Sequence, residues 1–314
     1  MLRKILKWTG FVILLVVSGV ALATVFRQHL TYQAPLPAIT ASTDTAIIAK
    51  GRHIVLGPGH CADCHSPVRN VDSMLQLGQD PPLSGGYRFH LPFGDVYSKN
   101  LTPDSATGIG RYTDGEVARV LRHSIKPNGE MVLPFMPFQN MSDEDLTAVI
   151  SYLRSTRPVR NKVPDHNWNV MGNLIKAFLL KPSGPTERIK EVVAADTTAV
   201  YGRHLVMAVA NCNECHTKRD AIGNYVGQPL AGGTQFEEEG LPTLVSPNLT
   251  PDPETGRIAD WTQEMFIKRF RTGRLIKYSH MPWESYSRMT DVELKAIYNF
   301  LMSVPPVNTA SQKK

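Results

Sequence analysis

The sequence predicts a mostly α-helical protein of two tandem domains with long loops, preceded by one N-terminal transmembrane helix. Three observations predict it: an uncharged apolar run near the N-terminus, an internal duplication, and a cysteine–histidine motif that occurs once in each copy.

The first segment, MLRKILKWTGFVILLVVSGVALATVF, is basic through Lys7 and uncharged from Trp8 to Phe26. A helix of that length crosses the hydrocarbon of a bilayer. Arg3, Lys4 and Lys7 ahead of it, with only Arg27 close behind, place the N-terminus in the cytoplasm and the rest of the chain across the membrane. Residues 1–7 are thus expected to be a cytoplasmic tail, 8–26 the anchor and 27–44 a linker. Ala21-Leu22-Ala23 has the form of a signal-peptide cleavage site, which would start a mature chain at Thr24. The length of the run favours the anchor. The formal net charge of +6 does not mark a nucleic-acid surface. Arg3, Lys4, Lys7 and Arg27 lie in or beside the anchor, Lys313 and Lys314 stand at the other end, and no basic patch interleaved with aromatics occurs between.

Self-comparison gives the architecture. GRHIV at 51 matches GRHLV at 202, CADCH at 61 matches CNECH at 212, and PLSGGYRF at 82 matches PLAGGTQF at 229. SKNLTPD at 98 matches SPNLTPD at 246, and MSDEDLTAVISYL at 141 matches MTDVELKAIYNFL at 289. The repeats define domains over 45–160 and 195–308, joined by an interdomain linker at 161–194 and followed by a tail at 309–314. Gly51 and Gly202 sit inside helical patterns, where glycine costs about 1 kcal/mol against alanine, and so mark close helix packing. The last helix of each repeat shows apolar residues at helical spacing: Leu146, Val149, Ile150 and Leu153 in one, Leu294, Ile297 and Leu301 in the other. Ser142 with Asp145, and Thr290 with Glu293, read as capping boxes that start these helices. In the linker, the run Val170 to Leu180 reads as a short amphipathic helix, packed between the domains in preference to lying on a membrane surface.

All four cysteines lie in GPGHCADCHSP, residues 57–67, and ANCNECHTK, residues 210–218. A disulfide framework belongs to shorter secreted chains, and a zinc site needs its two knuckles closer together. C-x-x-C-H is the spacing of c-type haem attachment. On a helical turn, cysteines at i and i+3 share a face and can bond the two haem vinyl groups, and the adjacent histidine reaches the iron. Cys61, Cys64 and Cys212, Cys215 are therefore expected to hold two covalent haems c, with His65 and His216 as proximal iron ligands. The alternative is a thioredoxin-like redox pair.

The sixth ligand is sought among methionines that recur. Met136-Pro137-Phe138 matches Met281-Pro282-Trp283, and Met141 matches Met289. Met141 and Met289 directly precede the caps, where an apolar residue packs on the fourth helical residue, Leu146 or Leu294. Met136 and Met281 remain as the candidate iron ligands. His280 adjoins Met281, but its counterpart is Phe135. His53 and His204 recur on the helix ahead of the cysteines and are expected to hydrogen-bond or pack. His60, His90 and His123 have no histidine counterpart and read as surface or loop residues.

With CHSPVRN and CHTKRD, the paired NLTPD…TG loops, MPFQNMSDEDL and MPWESYSRMTDVEL, the sequence resembles the di- and multi-haem membrane-associated c-type cytochromes, including the cytochrome subunits of bacterial periplasmic alcohol and aldehyde dehydrogenases. The resemblance spans nearly all of both repeats. It implies two cytochrome c-like domains in which the motif cysteines hold haem, His65 with Met136 and His216 with Met281 ligate iron, and the NLTPD loop lines the haem pocket through Asn100 and Asn248. Asn100 and Asn248 also fit a glycosylation sequon, but their repetition with the flanking Pro-Asp favours the pocket loop. The sequence departs from these relatives in carrying two haem motifs where such subunits usually carry three. Lys218 also stands where proline is common, as Pro67 stands in the first repeat.

Histidine–methionine ligation leaves no open coordination site and suits one-electron transfer. The expected protein is an electron carrier of the bacterial inner membrane and not an enzyme. Its haem domains lie in the periplasm, with a dehydrogenase subunit as donor and a quinone, soluble cytochrome or terminal oxidase as acceptor. A di-haem peroxidase or thiosulfate-oxidising cytochrome is the alternative; it would need an iron that opens or a spare cysteine ligand. The holo-protein should exceed the 34.8 kDa chain by two haem masses that resist acid–acetone extraction, whereas a mass showing one haem or none would defeat the motif reading.

Overall fold

The computed structural model describes the chain apart from Arg69, Pro134, residues 221–222 and 238–239, and residues 311–314, so most of the expected tail lies outside the described residues. The first helix, α1 (Leu2–Arg27), contains an 18-residue stretch with a mean hydropathy of 2.4, and none of its residues is buried. That is long and apolar enough to cross a membrane.

The first repeat opens with α2 (Thr45–Leu56), capped by Asp44, whose side chain accepts from the Ala46 amide. It continues through the motif turn α3 (Cys61–His65) and α4 (Val71–Gln76) to an antiparallel hairpin, β1 (Arg88–Leu91) and β2 (Gly94–Tyr97), with Phe89 opposite Val96. Next come α5 (Asp114–His123) and α6 (Asp143–Ser155). The linker adds β3 (Asn167–Trp168), paired to β2, and α7 (Val170–Phe178).

The second repeat follows the same order. Helix α8 (Ala199–His204) continues as a wider turn through Val209 to the motif turn α9 (Cys212–His216). A small ladder of β4 (Gln235–Phe236) and β5 (Leu244–Val245) then leads to α10 (Gln263–Thr272), the short α11 (Trp283–Tyr286) and α12 (Asp291–Ser303). The chain is mostly helical, as the sequence predicts; the hairpin and the short ladders are additions that periodicity did not reveal.

In each repeat the first and last helices pack on one another, α2 on α6 and α8 on α12. Gly51 and Gly202 are the contact points. A Cβ on Gly51 would overlap the Ala148 carbonyl oxygen, and a Cβ on Gly202 would overlap that of Ala296. Around each crossing the core closes with Val55, Leu146 and Ile150, and with Val206, Leu294 and Ile297. The caps are as expected in one repeat and half as expected in the other. Thr290 and Glu293 form a full reciprocal box. Ser142 accepts from the Asp145 amide, but the Asp145 carboxylate turns away from the cap to Lys50 and His204. Aspartate is one methylene shorter than the glutamate that closes such a box.

Helix α7 does not fill a space between the repeats. It packs against α1 and β3, with Gly172 over the Phe93 carbonyl and the Ala177 carbonyl accepting from Arg27 Nε at 3.0 Å.

The helix crossings generate a stability prediction. Gly51→Ala and Gly202→Ala must each part a helix pair at a backbone contact, so each should destabilise the holo-protein by about 2–3 kcal/mol in denaturant unfolding, the upper range for overpacking. A change below a few tenths would show that the crossing tolerates a methyl group.

Candidate functional site

Each motif turn begins after a residue in the left-handed region, His60 (φ 39°) before α3 and Asn211 (φ 52°) before α9. Histidine and asparagine tolerate this conformation better than most residues. The reversal lets a new helical turn start directly after the long helix. That turn carries Cys61 and Cys64 in one repeat and Cys212 and Cys215 in the other, at i and i+3.

The histidine that ends each turn is held identically. His65 Nδ1 lies 2.8 Å from the Lys99 carbonyl oxygen, and His216 Nδ1 lies 2.9 Å from that of Pro247. A carbonyl only accepts, so Nδ1 carries the proton. Enclosure in the protein, outweighing the carbonyl bond, holds both imidazoles below the ordinary histidine range and so keeps them neutral. The remaining nitrogen, Nε2, then has its lone pair free. This is the outer-shell arrangement of a metal-ligating histidine.

The paired glycines of PLSGG and PLAGG complete the cradle. Gly85 (φ +71°) and Gly232 (φ +72°) donate their amides to the His65 and His216 carbonyls at 2.8 and 2.7 Å. A Cβ at either would stand 2.5 Å from the carbonyl carbon of Lys99 or Pro247, the residue that accepts from the histidine. Both the positive φ and the close approach require glycine.

Asn100 and Asn248 sit beside those acceptors, buried, with every polar capacity used. The Asn100 amide donates to Thr107 Oγ1 and the Val159 carbonyl at 3.1 and 2.9 Å, and its oxygen accepts from the amide and hydroxyl of Thr102. Asn248 repeats this with Thr255, Val307 and Thr250. Asp104 and Asp252 close the loops onto Thr107 and Thr255. These loops are rigid clamps tied to the segment after the last helix. What they turn toward the histidine is the preceding carbonyl, and burial of both asparagines removes them as sequon acceptors.

The methionines separate as the capping pattern predicts. Met141 and Met289 are each 2% exposed and buried in the core with Leu146 and Leu294. Met136 and Met281 lie half-buried on the loops, packed against that core. In both loops the amide two residues on, Phe138 or Trp283, donates to the methionine carbonyl, at 3.0 and 2.8 Å. His280 is exposed and stacks on Phe236 with ring centroids 4.9 Å apart.

Two arginines that the sequence reading passed over brace these loops. Arg122, buried at the end of α5, donates to the carbonyls of Gln139 and Met141 and pairs with Asp143 at 2.7 Å. Arg271, at the matching place in α10, donates to the Ser287 carbonyl and pairs with Asp291, each at 2.6 Å. The alignment of TDGEVARVLRH with TQEMFIKRFRT was the available signal.

The recurrent histidines bond across the repeats. His53 Nε2 lies 2.9 Å from Glu293, and His204 Nε2 lies 2.6 Å from Asp145. The first motif turn also meets the second methionine loop: Ser285 donates to Asp63 at 2.8 Å, and Arg288 donates to the Leu56 carbonyl at 2.7 Å.

The donor set fits haem c. Each repeat offers two cysteines on one turn, a neutral histidine with one nitrogen fixed by a carbonyl, and a thioether on a braced loop. It fits the alternatives less well. Among the described residues, no cluster of three or more His, Cys, Asp or Glu side chains is arranged to hold a bare metal ion. Burial, with a smaller push from the partner cysteine, raises the Cys61 and Cys212 thiols to about 12, whereas a reactive redox pair needs a depressed thiol.

No protein-family model matches the chain. The cytochrome c subunit of the quinone-dependent alcohol dehydrogenase of Gluconacetobacter polyoxogenes is 31% identical over 286 residues, covering 85% of this chain and 58% of the relative. The fructose dehydrogenase cytochrome subunit of Gluconobacter japonicus is 28% identical over 291 residues, covering 86% of this chain and 55% of the relative. This chain thus spans under two thirds of the length of those two relatives. A diheme cytochrome c-type protein of Cereibacter sphaeroides is 27% identical over 262 residues, which cover 79% of this chain and 83% of the relative. Over most of its length, the chain is a homologue of the cytochrome c subunits of alcohol, fructose and gluconate dehydrogenases and of a diheme cytochrome c.

Proposed function

We propose that the chain is a membrane-anchored, periplasmic di-haem cytochrome c that passes single electrons from a dehydrogenase toward the respiratory chain. The observation that carries this reading is the proximal histidine built twice, with His65 Nδ1 on the Lys99 carbonyl and His216 Nδ1 on the Pro247 carbonyl. Each of the domains 45–160 and 195–308 holds one haem. Cys61 and Cys64, and Cys212 and Cys215, form the thioethers. His65 and His216 would ligate iron through Nε2, and Met136 and Met281 would each supply a thioether ligand.

Haem c, when bound, supplies a one-electron couple. The chain contributes the ligands, their fixed orientation and the exclusion of water. Methionine together with histidine would fill the coordination and raise the potential, which suits electron transfer over substrate chemistry. Asn100 and Asn248 act on the haem pocket by holding the carbonyl that fixes the histidine. The bonds of His53, His204, Ser285 and Arg288 across the repeats support two haem sites kept at a constant separation, as a short electron wire requires.

Helix α1 spans the inner membrane with the N-terminus in the cytoplasm. The dehydrogenase cytochrome subunits among the relatives support a periplasmic dehydrogenase as donor. The acceptor is a quinone, a soluble cytochrome or a terminal oxidase.

The oxidised protein should show the weak near-infrared sulfur-to-iron band for two haems. Met136→His and Met281→His should each remove about half of it, retain covalent haem and lower that haem's potential. Met141→Leu and Met289→Leu replace one apolar core side chain by another of similar volume and should leave the band unchanged. Loss of the band in the leucine variants, with the histidine variants intact, would reverse the ligand assignment.

A further inference from the structure

Helix α7 has the polarity of a surface helix turned inside out. Gly172 and Ala177 are buried against the protein. Asn173 and Lys176 lie between them on the helix, on that same inward side, and are half-buried. The outward side carries Val170 and Met171, 79% and 59% exposed, and Phe178, 41% exposed. Leu174 and Ile175 continue that stripe, and Leu179, just beyond the helix, is 53% exposed. A helix on the wet surface of a globular protein puts its apolar stripe toward the core.

The position of α7 says what covers that face. Its last turn is tied to the last turn of α1 by the bond from Arg27 Nε to the Ala177 carbonyl, and the Arg27 guanidinium stands 5.5 Å from the centre of the Phe178 ring. The segment leaving α1 is also tied to the first repeat, where the Tyr32 amide donates to the Gly129 carbonyl at 2.8 Å. A helix fixed to the end of a membrane span sits at headgroup depth. Trp168, stacked on Phe93, stands just ahead of α7, as aromatic residues do at that depth. Arg27 and Lys181 stand at the C-terminal end of α7, which suits an anionic lipid surface.

We propose that α7 lies in the plane of the membrane, its Val170–Met171–Phe178 face buried among lipid acyl chains, as a second contact that fixes the first repeat against the bilayer. The proposal rests on the reading of α1 as a membrane anchor. The occupant is lipid and not a protein partner, because the face is continuous with the end of α1, where the Arg27 guanidinium stands beside Phe178.

The full-length holo-protein, in vesicles of phosphatidylcholine with a minority of phosphatidylglycerol, should be photolabelled with a phospholipid carrying a carbene precursor high on its acyl chain, and the adducts mapped by peptide mass spectrometry. Adducts are expected on α1 and on residues 170–179. Met171→Glu combined with Phe178→Glu, both at exposed positions, should abolish the second set and leave the α1 adducts and the haem spectrum intact. Labelling of α1 alone in the unmodified protein would overturn the proposal while sparing the anchor. Labelling of neither would overturn the anchor reading and the proposal with it.

Discussion

Both repeats depend on one steric constraint: two helices cross so closely that only a hydrogen atom fits between their backbones. Gly51 against Ala148 and Gly202 against Ala296 set that crossing, and the remaining parts of each site are measured from it. Nine residues after each glycine, just past the end of the first helix, a left-handed residue restarts the chain as the motif turn. A few residues before the last helix, the methionine loop ends at a buried apolar residue and a cap. The crossing therefore anchors both the helix that leads into the motif turn and the helix that follows the methionine loop. Two backbone carbonyls, at Lys99 and Pro247, complete the positioning by holding each imidazole in one tautomer.

The same helices join the repeats. A histidine on the first helix of each repeat reaches the acid at the third position of the other's last helix, so the two contacts are related by an approximate two-fold exchange. The exchange is imperfect in an informative way. Glu293 is long enough to close its own cap and also meet His53. Asp145 leaves its cap and meets His204 and Lys50. Burial pushes the Asp145 carboxyl up, but the bond to His204 and the charge of Lys50 outweigh it and hold the group below the usual carboxylate range. The Asp145 contribution is therefore present at neutral pH and is lost only in acid, as pH falls through that depressed value.

The chemistry of the site was legible because it is written in local spacing: two cysteines and a histidine within one turn, a methionine before proline, a glycine in a helix. The duplication gave each of these a second witness and removed His280, while the caps that follow Met141 and Met289 set that recurring pair aside. Contacts set by tertiary geometry were not legible. Nothing local in DEDL says that Asp145 will serve His204 and not its own cap. Nothing local to Arg122 and Arg271 names the carbonyls that they hold. The direction of the α7 stripe was also closed to periodicity, which shows that a helix is amphipathic but not which side meets the protein. NLTPD lay between these cases: its repetition marked importance, while its role as a self-satisfied clamp needed the hydrogen bonds.

The central claim is that each repeat closes its iron with histidine on one side and methionine on the other. Quantitative electron paramagnetic resonance of the fully oxidised holo-protein tests it most directly. The account predicts two low-spin ferric haems per chain, neither with the signature of two histidine ligands, and no high-spin signal. A high-spin component matching one haem, or a spin count of one per chain, would contradict it.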